Sequence, residues 1–120
     1  MKTVLVVDDS LYMRTMISEA LKKSGYDIIA QAANGETAIE LALKHKPDLI
    51  TLDNILPDMI GIDILKILKQ EKAIESKIVL ISAVGQELIV KEGLSLGASN
   101  YIVKPFTSES LLEEVNKIFV

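Results

Sequence analysis

Cysteine and tryptophan are absent from the 120 residues, and only one of the 13 basic residues, Arg14, is an arginine. Without cysteine there is neither a disulfide scaffold nor a zinc–thiolate site, and the redox compartment stays open. Aromatic residues make up 4% of the chain and the lysines are scattered along it. The stacking platform and the phosphate-tracking stripe of a nucleic-acid binder are therefore both missing, and direct nucleic-acid binding is not expected. Long apolar runs are missing as well. VLVV, DIIA and KIVLISAV fall far short of the roughly 18 to 20 residues that cross a bilayer, and MKTVLVVDDS meets two acids where a signal peptide would continue apolar. A cytoplasmic protein with no membrane segment is expected. What is present is 49% hydrophobic residues and a net charge of −4, from 13 Lys and Arg against 17 Asp and Glu. A chain of this length buries roughly two thirds of its unfolded surface, enough for a core without a metal or disulfide staple.

Two patterns alternate along the chain. Short β-branched runs at Thr3 to Val7, Asp27 to Ala30, Leu49 to Leu52, Ile78 to Ile81 and Tyr101 to Val103 are each followed by a longer segment with apolar residues three and four apart. Met13, Met16, Ile17, Ala20 and Leu21 form one such stripe, and Leu111, Leu112, Val115, Ile118 and Phe119 another. Ser10, Asn34 and Thr107 stand where helix N-caps belong, and Gly25 and Gly97 where helices end. The first and fourth runs are apolar on both faces and belong inside a sheet; the second and fifth carry polar residues and suit its edges. The expectation is an α/β fold: a doubly wound, flavodoxin-like parallel sheet of five strands in the order 2-1-3-4-5, with five helices on its two faces. No linker or low-complexity run divides the chain, so residues 1–120 read as one domain with no output domain.

In that winding the ligand crevice lies at the carboxyl ends of strands one and three. Asp8 and Asp9 follow Val7 and Asp53 follows Leu52, so three carboxylates converge there. Like charges so close raise one another's pKa unless a cation neutralises them, and Mg²⁺ with oxygen ligands suits such a site better than Ca²⁺. Strand four ends in Ser82 and strand five in Lys104, adding a hydroxyl and an ammonium. Taken together the groups suit phosphoryl transfer, with a carboxylate as nucleophile.

The set Asp8-Asp9, Asp53, Ser82-Ala83 and Lys104-Pro105-Phe106, at these spacings, resembles the receiver domain of two-component response regulators over the whole chain. VDDSLYMRTMI, SAVGQE and GASNYIVKPF are most similar to the single-domain chemotaxis regulators, the CheY-like branch. The resemblance implies that Asp53 accepts a phosphoryl group from the phosphohistidine of a chemotaxis-type histidine kinase. It implies that Asp8, Asp9 and Asp53, with the backbone carbonyl of Ile55, organise Mg²⁺, and that Lys104 and the Ser82 hydroxyl hold phosphoryl oxygens. It also implies a cis bond before Pro105 and a switch in which Tyr101 turns inward as Ser82 moves.

The chain departs from the family's D-x-x-M-P-x-x-[DN]-G at Leu56 and Ile60, and Ile55 and Val84 are apolar where relatives place residues flanking the attacking water. Slow autodephosphorylation is expected. Gly93 falls inside the fourth helical pattern, at a cost of about 1 kcal/mol relative to Ala, or else permits close packing. The face formed by helix four, strand five and helix five is expected to bind the downstream protein. His45 reads as a solvated residue at a helix end, and the role of Arg14 is left open. The function expected is a phospho-aspartate switch, not an enzyme, acting as a monomer on the motility motor and served by a phosphatase. The alternatives are a phosphorelay intermediate passing its phosphoryl group to a histidine phosphotransfer protein, and a small Mg²⁺-dependent aspartyl phosphatase.

Overall fold

The computed structural model describes residues 1–119; Val120, the last residue of the expected domain, lies outside the described residues. The five apolar runs become β1 (Thr3–Val7), β2 (Asp27–Ala32), β3 (Leu49–Asp53), β4 (Lys77–Ala83) and β5 (Asn100–Lys104). Four of them extend past the run, because parallel pairing continues through polar residues wherever a neighbour offers backbone partners. Between and after them lie α1 (Leu11–Lys23), α2 (Gly35–His45), α3 (Gly61–Lys66), α4 (Glu87–Ser95) and α5 (Ser108–Ile118). All pairings are parallel and the order is 2-1-3-4-5, as expected.

Local chemistry sets the helix ends. The Ser10 side chain accepts from the Met13 N–H and Asn34 from the Thr37 N–H, while Thr107 and Ser110 cap α5 reciprocally. Gly25 (φ 91°) and Gly97 (φ 115°) follow α1 and α4 in the left-handed conformation that lets the chain turn away. The third helix departs from the regular spacing. After Lys66 it widens into a π-helical turn, Ile67–Glu71, which Lys72 closes by donating its N–H to the Ile67 carbonyl at 2.9 Å.

Alternation along each strand divides the interior into two cores. Leu5, Val7, Ile50, Leu52, Ile78 and Leu80 face α2, α3 and α4, whereas Val4, Val6, Leu49, Val79 and Ile81 face α1 and α5. Most of these side chains are fully buried, each stabilising by about 1.5 to 3 kcal/mol. The second strand breaks its alternation. Val4 pairs with Ile28 but Leu5 with Ala30, so Ile29 bulges out of register. Ile28 then packs with the α1/α5 core, while Ala30 and Ala32 turn to the other core. Ala32 thereby reaches the end of β1, where its carbonyl accepts the Asp8 N–H at 3.1 Å.

Candidate functional site

Two adjacent strands end on acids or beside them, since β1 is followed by Asp8 and Asp9 and β3 finishes on Asp53. Carboxylate oxygens of Asp8, Asp9 and Asp53 lie within 4.8 Å of one another. Asp8 is fully buried and Asp53 nearly so, whereas Asp9 is exposed. Asp8 is fixed on several sides. One of its oxygens accepts from the Ser10 N–H (2.9 Å), the other from Lys104 Nζ (3.3 Å), and its carbonyl accepts from Arg14 Nη1 (2.7 Å). Arg14 also donates Nε to Gln31 Oε1 at 3.2 Å. The arginine therefore ties β1 to β2 behind the crevice, a role its position in the sequence left open.

Lys104 comes from the far edge strand and reaches over the end of β4. Its ammonium is shared between Asp8 Oδ2 and Asp53 Oδ1, both at 3.3 Å. The Lys104-Pro105 bond that follows is cis. Burial and then the Asp8 charge raise the Asp53 pKa, and the lysine offsets this only in part. On Lys104 itself burial pulls downward, but Asp53 and Asp8 outweigh it and hold the ammonium above its usual range. One lysine pairs with two of the three acids, so the crevice is short of positive charge.

The surroundings fit a small hard cation. Ile55 and Ile60 form an isolated antiparallel bridge whose bonds run from Gly61 N–H to the Asn54 carbonyl and from Leu56 N–H to the Met59 carbonyl. Both bonds use flanking residues, so neither engages the Ile55 carbonyl. Gly61 makes this turn possible, because a Cβ there would stand 2.9 Å from the Asp53 carbonyl and the Asn54 Cα. Three carboxylates with an open side at exposed Asp9 are the kind of oxygen donors that Mg²⁺ takes, with room for water.

Ser82 lies at the end of β4, and its Oγ is buried without a hydrogen-bond partner. Such an orphaned hydroxyl is expensive to keep and marks a place for an absent acceptor. Tyr101 is outside the crevice. It is 40% exposed on β5 and lines a groove with Ser82, Val90 and Leu94. In the β4–β5 register Leu80 pairs with Tyr101 and Ser82 with Val103, so Ser82 and Tyr101 sit on one face of the sheet one diagonal apart. Ile55 and Val84 flank the crevice, 58% and 75% exposed. Gly93 is where packing demands no side chain, since a Cβ would meet Leu80 Cδ2 at 2.8 Å. His45 is exposed at the end of α2, as the sequence implied.

The response regulator receiver domain family matches residues 4–116. The chemotaxis protein CheY of Bacillus subtilis is 43% identical over 114 residues, 95% of this chain and 94% of that protein. CheY of Thermotoga maritima is 41% identical over 98% of this chain and 97% of its own. Among solved structures, the CheX-CheY-BeF₃-Mg²⁺ complex from Borrelia burgdorferi superposes with a TM-score of 0.94 at 36% identity, covering 99% of this chain and 90% of that one.

Proposed function

The chain belongs to the response regulator receiver domain family, as a CheY-like phospho-signalling switch rather than a classical enzyme, and from that premise we propose that Asp53 is the residue it phosphorylates. One observation carries this reading: Asp53 shares its ammonium with buried Asp8 while the Ser82 hydroxyl beside it has no partner. The donor is a histidine kinase's phosphohistidine. An Asp53 oxygen attacks phosphorus, a P–O bond forms as the P–N bond breaks, and the imidazole nitrogen leaves with the electron pair. Asp8, Asp9, Asp53 and the Ile55 carbonyl hold Mg²⁺, whose charge offsets that of the phosphoryl oxygens when it is bound. Lys104 exchanges a carboxylate oxygen for a phosphoryl oxygen, and Ser82 donates its hydroxyl to another. Drawing Ser82 toward the phosphoryl group opens space on the Tyr101 side of the sheet, and the α4–β5–α5 face then presents a different surface to the motor switch or another downstream protein. A protein that docks on this domain, as CheX does on the Borrelia relative, belongs to the same reading.

Acetyl phosphate with Mg²⁺ tests the site directly. Intact mass should show one phosphoryl group per chain, and Asp53→Ala should abolish it; full labelling of the variant would overturn the assignment. A phosphorelay role is favoured by the apolar set of Leu11 and Tyr12 at the start of α1, Val84 in the loop after β4 and Leu88 at the start of α4, which are 67% to 82% exposed. Transfer of label from the protein to a histidine phosphotransfer domain distinguishes that role from motor binding.

A further inference from the structure

At the opposite end of the sheet, the amino end, a groove of about 660 Å³ opens between the end of α2, the connection that follows the π-helical turn and the start of β4. Its volume lies within the range of small-ligand sites. Four lysines from three separate segments line it: Lys2, Lys46, and Lys72 with Lys77. Two carboxylates join them, Asp48 and Glu75. Asp48 is already engaged, since one oxygen accepts both the Thr3 N–H (2.8 Å) and the Thr3 hydroxyl (3.1 Å). Positive charge is thus concentrated here in a chain of net charge −4.

Three further features meet at the same place. Lys69 lies behind the wall and donates its ammonium to the Ile74 and Ser76 carbonyls, which fixes the connection into β4. Burial and then the Lys77 charge lower its pKa, as expected where positive charge lacks a counter-ion. Lys46 (φ 46°) and Ala73 (φ 51°) are the non-glycine residues with positive φ among the described residues, and both line the groove. That conformation is unfavourable for a residue with a Cβ and concentrates at functional sites. Leu43, Ile74 and Phe119 give the groove an apolar side, with Lys2 Nζ 5.0 Å from the Phe119 ring centre.

We infer that this groove binds a nucleotide, its phosphates held by the lysines and its base set against the apolar side. Lysines serve phosphate as mobile point charges, and an aromatic rim with aliphatic neighbours suits a planar base. The site is separate from the acidic crevice and does not depend on the function proposed for it.

The test is an amide chemical-shift titration of the metal-free protein with ADP and, in parallel, with inorganic pyrophosphate. Saturable shifts are expected at residues 46–48 and 72–77 and not at Asp8, Asp53 or Ser82, with a Kd below about 1 mM. Pyrophosphate should bind at least roughly tenfold more weakly, because it lacks the base. The exposed pair Lys72→Glu/Lys77→Glu should weaken ADP at least roughly tenfold. Lys46→Gly, which keeps the left-handed backbone and removes the ammonium, should weaken it in the same direction. Absence of saturation, equal binding of pyrophosphate, shifts at the acidic crevice, or unchanged affinity in both variants would each overturn the inference.

Discussion

Burial and the Asp8 carboxylate raise the Asp53 pKa against the pull of Lys104, so the ionised side chain opposes folding of the metal-free protein. The folded state binds this proton more tightly than the unfolded one. Its contribution is therefore favourable below the unfolded value near 4 and is lost as pH rises through the raised folded value. Asp53→Asn should accordingly be more stable than the parent at pH 7 without Mg²⁺, and the gap should close as pH falls toward about 4. Adding Mg²⁺ should also narrow it, because the ion stabilises the parent. Denaturant midpoints decide this, and a less stable variant at neutral pH would contradict it. Ile55 and Val84 lead to a kinetic prediction at the same scale. Both are exposed beside the crevice and neither can orient water. Replacing the two with Asn should speed loss of the phosphoryl group by roughly tenfold, about 1.4 kcal/mol of barrier. Decay of a radiolabelled phosphoprotein measures it, and an unchanged half-life would show that water is not limiting.

The loop from β3 into α3 is the most sharply constrained connection. A Cβ at Gly61 would collide with backbone on two sides, including the carbonyl of Asp53 itself. Gly61→Ala should destabilise by about 1 to 3 kcal/mol, the ordinary scale of overpacking, and also slow phosphorylation by shifting Asp53. Chemical denaturation and the acetyl phosphate rate read the two effects. The start of α2 depends on the same loop, because Asp58 accepts the Gly35 N–H at 2.7 Å and the Glu36 N–H at 3.0 Å. These bonds hold the Asp58 carboxyl below its usual range. Their stabilisation is present above the unfolded value near 4 and disappears as pH falls through the lower folded value. Asp58→Asn should be less stable than the parent at pH 7, with the difference vanishing in acid. Midpoints that stay equally far apart from pH 7 to pH 2 would refute this.

The Asp58 clamp also marks a limit of the sequence. Strand ends, caps and the acid cluster follow from local pattern, and Ser10, Asn34, Thr107, Asp8, Asp53 and Lys104 stand where that pattern puts them. Asp58 acts across 23 residues on a helix start that already has a good cap, so nothing in the sequence calls for it. Arg14 turns back to the carbonyl of Asp8 only because α1 aims it there. The π-helical turn adds one residue to a helical ring without disturbing the apolar spacing that signals a helix. The bulge at Ile29 shows only once β2 is paired, where it reverses the expected facing of Ala30. The lysine groove draws on three separate segments whose charges look dispersed along the chain.

On the scale of the whole molecule the sheet separates two cores that, among the described residues, share no side chain. Ser82 lies on the face of Leu80, with α3 and α4, and Tyr101 on the same face. Phosphorylation should therefore change amide hydrogen exchange in α4 and at Tyr101 while leaving α1 unaffected. Equal change in α1 and α4 would mean that the sheet moves as one body. Interdigitated packing makes each core resist deformation as a unit, so a displacement admitted to one has no compliant route into the other. The β-sheet would then stand as a partition between the α4 and Tyr101 region, which changes its surface, and α1, which does not. A protein docking on α1 alone would meet the same contour whether or not the message had arrived, whereas one that touches the α4–β5–α5 face could tell the difference.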